Sequence, residues 1–251
     1  MDLRMMLATT HRVLDQLRHD HRSIALILVV PALLLTAVYF LYENETLPLG
    51  VPRTFDRVGL MMLAIFPFVV MFLVTSITML RERTSGTLER LLTTPAHKAD
   101  LLFGYGLAFS IMAALQSLVA TAVAYWIFDL DIQGSPGYVV LIAVINAVLG
   151  VALGLLCSAF ARTEFQAVQF MPVVVVPQIL LCGLFVARDR MNDVLEAVSN
   201  VLPLTFSVDA LQEIAANTEA TEQLWQDAGT MVAIVVGVLV LASLTLRRQS
   251  A

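Results

Sequence analysis

The sequence predicts an all-α membrane protein with six transmembrane helices. Of its 251 residues, 59% are hydrophobic and 14% are charged, whereas soluble domains are about 45–50% apolar and about 25% charged. A helix needs about 20 apolar residues to cross ~30 Å of hydrocarbon. Six stretches come close to or exceed that length, at 24–42, 58–80, 101–128, 138–161, 165–187 and 229–246. Little chain remains outside them, so residues 1–251 are expected to form a single transmembrane domain.

The first element is a segment of about 22 residues ahead of the first span. Its apolar residues recur at helical spacing with arginines between them, which predicts an amphipathic helix lying on the inner membrane surface. A solvated tail is the alternative. The segment is too long and too polar to start a cleavable signal peptide, so the first span is expected to be retained. The apolar positions are Leu3, Met6, Leu7, Val13, Leu14 and Leu17.

Spans two and three are joined by residues 81–100, which read R-E-R-T-S-G-T-L-E-R-L-L-T-T-P-A-H-K-A-D. Leucines and a threonine at helical spacing alternate here with charged residues. That pattern predicts a short amphipathic helix, which Pro95 would end because proline cannot continue a helix. The alternative is a solvated connecting loop.

Two of the other links are short. Residues 129–137 end in S-P-G, a turn composition, and only about 162–164 separate spans four and five, so spans three, four and five are antiparallel neighbours. Pro172 and Pro177 are expected to kink or break span five. The longer outer segment, 188–228, is expected to form short helices that dip into the outer leaflet, because these residues are helix-spaced: Met191, Val194, Leu195, Val198 and Leu202.

The basic residues predict the orientation. With the start of the chain in the cytoplasm, eleven of the 15 Lys and Arg residues fall on the cytoplasmic side, as the positive-inside rule requires. Both termini are then cytoplasmic, and Trp126 and Trp225 lie at the outer interface. We therefore expect a multi-pass protein of the plasma (inner) membrane, in contact with membrane lipids.

Several kinds of chemistry are absent from the sequence. The spans hold almost no ionisable side chain, which argues against a proton-coupled antiporter or an ion pump. There is no P-loop, H-E-x-x-H or G-x-S-x-G motif. Cys157 and Cys182 are expected to be buried packing residues, and the histidines lack partners for a metal site. No catalytic residue, no metal and no nucleic-acid partner are expected, and the net charge is −5.

Small and neutral polar residues do occur inside the spans. Gly150 and Gly154 form a G-x-x-x-G pattern that indicates close helix packing. The polar side chains either hydrogen-bond between helices or line a transport path, and the sequence leaves both open. They are Thr75, Ser76, Thr78, Gln116, Ser117, Asn146, Gln166, Gln169 and Gln178.

Two motifs carry a family resemblance. One is E-R-x-x-G-T-L-E-x-L-x-x-T-P, from Glu82 to Pro95; the other combines P-Q-I-L-L-C-G-L-F (177–185) with L-P-L-T-F-S-V-D-A-L (202–211). Together with the order of spans, they resemble the membrane subunit, or permease, of type-2 ABC exporters. Cys182 stands where that family usually has a small residue, and Phe206 where tyrosine is common. The resemblance covers essentially the whole chain.

The resemblance implies a mechanism. Such permeases pair with a second copy or a sister permease and dock on two copies of a cytoplasmic ABC ATPase. The loop at 81–100 would act as a coupling helix seated in a groove of the ATPase. This chain would bind no cofactor, and ATP and Mg²⁺ would sit on the partner ATPase. The expected coupling residues are Glu82, Arg83, Gly86, Thr87, Leu88, Glu89, Leu92 and Pro95.

A transport path is expected where two permeases meet, which in the family involves spans one, two and five. Apolar rings of span two suit an amphiphilic cargo, and glutamines of span five could face it. The alternative is that the prolines merely bend a helix and the rings face lipid. The expected path residues are Phe66, Phe68, Phe72, Gln166, Gln169 and Gln178.

The resulting functional hypothesis is an ATP-driven exporter of a hydrophobic or amphiphilic substrate, such as a drug or a lipid. The near absence of charge within the spans favours such a cargo. A lipid-linked polysaccharide is the alternative cargo. A non-transporting scaffold or sensor, or a membrane enzyme, remains as an alternative of another class. Lipid-modifying enzymes need clustered acids or histidines at an interface, and the inner loops offer only acids interspersed with arginines.

Overall fold

The computed structural model describes residues 2–45, 53–87, 90 and 98–245, and these ranges contain helices and no strand. The helices are α1 (Leu3–His19), α2 (His21–Tyr42), α3 (Thr54–Thr84), α4 (Lys98–Trp126), α5 (Pro136–Ser158), α6 (Glu164–Val174), α7 (Val176–Leu181), α8 (Asp193–Ser199), α9 (Pro203–Ala216) and α10 (Glu222–Thr245). A 3₁₀ turn occupies Arg188–Arg190.

Within the described ranges, six helical spans are long and apolar enough to cross a membrane, as the sequence predicts: α2, α3, α4, α5, α10 and the consecutive pair α6–α7. Several bounds differ from the apolar stretches. α3 and α10 begin at Thr54 and Glu222, ahead of the predicted 58 and 229, because polar residues extend both helices beyond their apolar part. Span five ends at Leu181 rather than 187, since the chain turns at Gly183, where φ is 92°.

The segment ahead of the first span is a separate helix, which confirms the amphipathic prediction. α1 ends at His19 and α2 starts at His21, so span one begins three residues earlier than the apolar stretch. Val13 and Leu17 on the apolar face of α1 are buried. The hydroxyl of Thr10 donates to the carbonyl oxygen of Gly104 at 3.1 Å, which fixes α1 against α4.

The centre of the bundle is the contact between α3 and α5. A Cβ atom on Gly150 would lie 2.4 Å from the carbonyl oxygen of Phe68, and one on Gly154 would lie 2.6 Å from that of Phe72. Only glycine allows this approach, so the packing role expected of the G-x-x-x-G pattern is confirmed. The side-chain amide of Asn146 donates to the carbonyl oxygen of Ala64 at 2.8 Å across the same contact.

The outer ring of helices leaves much apolar surface uncovered. In the most apolar part of α3, 72% of residues are buried, against 17% in α2 and in α6–α7 and 22% in α10. α2 and α6 both pack on α3, whereas α10 packs on α5 and α9. The bundle therefore has two different apolar sides available to lipid or to another chain.

Span five is broken once, although it contains two prolines. α6 ends at Val174 and α7 begins at Val176, with Pro177 in its first turn. Pro177 has no N–H to donate to the carbonyl oxygen of Val173, which explains the break. Pro172 lies inside α6 without ending it.

The outer segment contains short helices, as predicted. α8 and α9 meet at 86°. α8 exposes Val194, Leu195 and Val198, which is the apolar surface expected of a helix that dips into a membrane interface.

Candidate coupling site and inner groove

The end of the bundle that the charge pattern assigns to the cytoplasm is called the inner end below; there α3 ends, α4 begins and α5 turns into α6. The predicted coupling residues belong to this end. Glu82 and Arg83 form the last turn of α3, and Gly86 and Thr87 follow it. The remaining predicted coupling residues lie outside the described residues: Leu88, Glu89, Leu92 and Pro95.

A glycine turn separates α3 from the loop. The amide of Ser85 donates to the carbonyl oxygen of Arg81 at 2.9 Å, and Gly86 has a φ of 71°. This left-handed conformation after a helix end is one that glycine adopts without a steric cost. The amide of Arg90 then donates to the carbonyl oxygen of Gly86 at 3.1 Å. Thr87 and Arg90 are themselves helical.

Arg81 reaches from α3 to the start of α6. Its Nε lies 2.7 Å from Oε1 of Glu164 and its Nη2 lies 3.0 Å from Oε2. Two parallel hydrogen bonds between the same two side chains restrict how α3 and α6 can be oriented relative to each other at this point. Both side chains are more than half exposed, so water screens the pair and it adds little stability.

Glu82 faces the inside of the bundle and not the cytoplasm. It is only 5% exposed, and its Oε1 lies 3.7 Å from Nη1 of Arg12 on α1. Arg12 also donates a hydrogen bond to the hydroxyl of Tyr105 on α4, and its guanidinium carbon lies 5.4 Å from the centre of that ring. Sequence reasoning missed Arg12 and Tyr105 as members of this site. The one available signal was an arginine within an amphipathic helix.

Arg83 points in a third direction. Its guanidinium donates to the carbonyl oxygen of Ser158, the last residue of α5. The last carbonyl groups of a helix have no partner within that helix and carry partial negative charge, so a cation there is favourable.

A small cavity of about 210 Å³ lies beside Glu82, between α1, the start of α2 and the glycine turn. Asp20, Ser85 and Thr87 also line it. Asp20 caps α2: the hydroxyl of Ser23 donates to it at 2.6 Å and the amide of Ser23 at 3.2 Å. These two bonds, the hydroxyl first, hold the pKa of Asp20 below its usual value.

The inner groove is a second feature of the inner end. It is an open groove of about 660 Å³ along α6 and the turn before it, and it contains two of the predicted path residues, Gln166 and Gln169. The side-chain oxygen of Gln166 accepts from the amide of Arg162 at 2.8 Å. The groove is lined by Phe160, Arg162, Gln166, Gln169, Phe170, Pro172 and Val173.

The other predicted path residues lie elsewhere. Phe68 and Phe72 have no exposed surface, because they point into the core between α3 and α5. Phe66 is partly exposed, on the face of α3 that also carries Val69 and Leu73. The structure thus does not bring the six residues together on one surface.

Gln178 is likewise almost fully buried and joins α7 to α9. Its amide nitrogen donates to the carbonyl oxygen of Val174 at 2.9 Å, and its oxygen accepts from the amide of Leu204 at 3.3 Å. The interhelical hydrogen-bonding interpretation therefore describes Gln178.

The second sequence motif contributes an ion pair at the outer end of the bundle, opposite the inner end. Arg188 lies 2.9 Å from Oδ2 of Asp209, the acid of the L-P-L-T-F-S-V-D-A-L stretch. It also donates to the side chain of Asn200 at 3.2 Å. One arginine thereby connects the end of span five to both α8 and α9.

A larger cavity of about 860 Å³ opens at the outer end, between the start of α3, the α4–α5 link and α9. Arg53 and Asp56 are joined there by two hydrogen bonds, at 3.1 and 2.8 Å, and Leu60 and Met61 form an apolar wall. Within the described ranges, no three His, Cys, Asp or Glu side chains are placed to hold a metal ion.

Comparison with known proteins agrees with this arrangement. A model of the ABC-2 type transporter family matches residues 5–215. The chain is 25% identical over 173 residues to the probable multidrug ABC transporter permease YbhR of Escherichia coli (strain K12), a match that covers 69% of this chain and 47% of that protein. It is 25% identical over 156 residues to the linearmycin resistance permease protein LnrN of Bacillus subtilis (strain 168), covering 62% and 40%.

A third relative is ABC transporter G family member 20 of Dictyostelium discoideum, 27% identical over 153 residues, or 61% of this chain and 21% of that protein. The chain thus spans less than half the length of these curated relatives. The family model nevertheless matches most of the chain and includes all six spans but the last. The chain is a multi-pass membrane protein that belongs to the ABC-2 type transporter family of membrane domains.

Proposed function

We propose that this chain is the permease subunit of an ATP-driven exporter of a hydrophobic or amphiphilic molecule, such as a drug or a lipid. The observation that carries the proposal is the inner groove, where polar and apolar groups meet on the exposed face of a span. Phe160, Phe170 and Val173 supply apolar surface, and Gln166 and Gln169 supply amides. An amphiphile presents the same two kinds of surface.

The position of the groove supports the same cargo. α6–α7 is among the least covered spans, so a molecule dissolved in the inner leaflet could reach the groove sideways, without crossing water. Arg162, which also lines the groove, would offer a positive charge to the polar part of an amphiphile. Two relatives have multidrug and linearmycin-resistance permease names, which favours a cargo of this class.

The energy would come from another chain. This sequence has no P-loop, so ATP and Mg²⁺ would bind a separate cytoplasmic ABC ATPase, present in two copies per complex. The loop after the glycine turn is the proposed docking point. A second permease, identical or a sister chain, would complete the path. The complex would lie in the inner membrane with both termini of this chain in the cytoplasm.

Reconstitution with the partner ATPase in lipid vesicles tests the proposal. A fluorescent amphiphile should cross the bilayer only when ATP is supplied. The double variant Gln166→Leu and Gln169→Leu should slow this movement by roughly tenfold, the effect of losing polar contacts to a bound molecule. Gln226→Leu, an exposed glutamine at the outer end of α10, is the matched control. Movement of a lipid-linked polysaccharide and not of amphiphiles would identify the alternative cargo, and no ATP-dependent movement would overturn the proposal.

A further inference from the structure

Three consecutive residues at the end of α3 contact three different parts of the bundle. They are Arg81, Glu82 and Arg83, called the inner triplet below. Successive residues of a helix point about 100° apart, so three in a row cover more than half of its circumference. The inner triplet reaches α6 through Arg81, α1 through Glu82 and the end of α5 through Arg83.

The inner triplet lies next to the proposed docking loop in the chain. It directly precedes the turn at Gly86, where the proposed ATPase-docking loop begins. α3 continues without a break from Thr54 to Thr84, so its last turn moves with the helix. A displacement of the docking loop is therefore delivered to the inner triplet at one end of the loop, while the other end leads directly into α4.

The contacts of Arg81 and Arg83 are hydrogen bonds, and they end on two different helices, α6 and α5. Arg81 holds Glu164 by two hydrogen bonds at the first residue of α6. Gln166 of the inner groove lies only two residues further along that helix. Arg83 holds the final carbonyl group of α5. The turn between α5 and α6 is thus attached to α3 on both sides.

The contact to α1 has room to change. The distance of 3.7 Å between Oε1 of Glu82 and Nη1 of Arg12 is too long for a hydrogen bond. Oε2 of Glu82 and Nε of Arg12 are buried and make no hydrogen bond with a described residue. The cavity of about 210 Å³ lies against this pair. A buried carboxylate with an unpaired oxygen is costly, so a small approach of α1 to α3 would be favoured.

We propose that the inner triplet distributes movement of the docking loop to α1, to the end of α5 and to the groove-bearing helix α6. Its members are positioning residues, which act through Arg12, Tyr105, Ser158 and Glu164 and not by touching the cargo. The inference rests on the proposed function, and it adds the contacts through which movement of the docking loop would be transmitted to the inner groove.

The first experiment measures cargo moved per ATP hydrolysed, in the complex with its ATPase. Arg81→Glu should lower this ratio about 3- to 10-fold, the size of effect known for residues that couple two sites. Adding Glu164→Arg recreates the pair with exchanged charges and should restore most of the ratio. Arg18→Gln removes a charge from an exposed position on α1 and should leave the ratio unchanged. A ratio that stays constant while both activities fall together would overturn the proposal.

The second experiment needs no cargo. Spin labels at Arg18→Cys on α1 and Phe165→Cys on α6 report the distance between these helices, and the native cysteines are both buried. In the wild-type background, binding of the ATPase with a non-hydrolysable ATP analogue should change this distance. Glu82→Gln, together with Arg81→Gln, should abolish the change while the ATPase still binds. An unchanged distance in the wild type, or an undiminished change in the variant, would overturn the inference.

The two experiments separate the inference from the proposed function. Absence of ATP-dependent cargo movement in the wild type would reject the exporter proposal, but the spin-label distances would still decide the role of the inner triplet. Normal transport with an undiminished distance change in the variant would reject the inner triplet alone.

Discussion

Gly150 sets how closely α5 approaches α3. A Cβ atom at this position would lie 2.4 Å from the carbonyl oxygen of Phe68, far inside van der Waals contact. Gly150→Ala should therefore lower the free energy of unfolding by about 1–3 kcal/mol, the usual cost of overpacking. Thermal unfolding in detergent measures the change. Gly237→Ala on α10, where nothing lies within 4 Å, should cause no loss; an equal loss there would contradict the packing explanation.

Asp20 should make the stability of α2 depend on pH. Its folded-state pKa is lower than the ordinary value of 3.8, because Ser23 donates two hydrogen bonds to the carboxylate. A carboxylate of this kind contributes stability above its unfolded pKa and loses that contribution as the pH falls through its folded pKa. Asp20→Ala should cost about 1 kcal/mol at pH 7, the usual contribution of an N-cap.

The test compares the melting temperatures of wild type and Asp20→Ala from pH 7 down to pH 3. The difference should shrink as the carboxylate of the wild type becomes protonated. Glu219→Ala, at an exposed position between α9 and α10, is the control and should show no such trend. A difference that stays constant over this range would remove the charge of Asp20 from the explanation.

At the residue scale, the sequence singled out candidate positions but did not orient their side chains. The motif identified Glu82, but its inward direction depends on Arg12 and Tyr105, which are distant in sequence. α3 is apolar on nearly every face, so periodicity could not show that Phe68 and Phe72 point into the core. Both side chains belong to a buried core cluster that includes residues of several other helices.

The turn between α3 and the docking loop is the element whose geometry depends most on one residue. Gly86 has a φ of 71° and no atom within 4 Å of where a Cβ would lie. Gly86→Ala therefore meets no clash but costs about 1–2 kcal/mol of backbone strain. We expect a normal amount of the variant protein in the membrane. The amount of cargo moved per ATP should fall several-fold, because the docking loop would leave α3 in a different direction. Transport in vesicles and quantitative immunoblotting measure both.

Gly229→Ala serves as the control for this turn. It also has nothing within 4 Å, and it lies within α10, where alanine is favoured over glycine. It should leave transport unchanged. Full transport by Gly86→Ala would show that the left-handed turn is not needed for coupling.

At the element scale, apolar length predicted the spans because burial in hydrocarbon is the dominant constraint on them. Their ends were less predictable, since polar residues at Thr54 and Glu222 continue a helix without any change in hydropathy that marks its start. Proline content predicted the break in span five but not that Pro177 alone causes it. A proline inside a helix can bend it without ending it, and Pro172 lies inside α6 in this way.

At the scale of the whole molecule, the two exposed apolar sides are not equivalent. One side presents α2 and α6–α7 on either side of α3, whose partly exposed residues there are Phe66, Val69 and Leu73. Elsewhere, α10 packs on α5, α9 and α4, and α4 itself exposes apolar side chains. The first side contains the inner groove, so a second permease placed against it would enclose the groove.

The permease partner should therefore meet this chain through α3 and α6. In a background with Cys157 and Cys182 replaced by alanine, single cysteines at Leu73 and Val173 should form disulfides between two copies, or with a sister permease, upon mild oxidation. Both positions face the first apolar side, Leu73 partly and Val173 largely exposed, and a disulfide needs Cα atoms within about 7 Å. A bound amphiphile should slow the reaction, since it occupies the groove between the copies. Val236→Cys on the exposed side of α10 should stay monomeric; dimers through Val236 with none through Leu73 or Val173 would place the interface, and the path, on the other side.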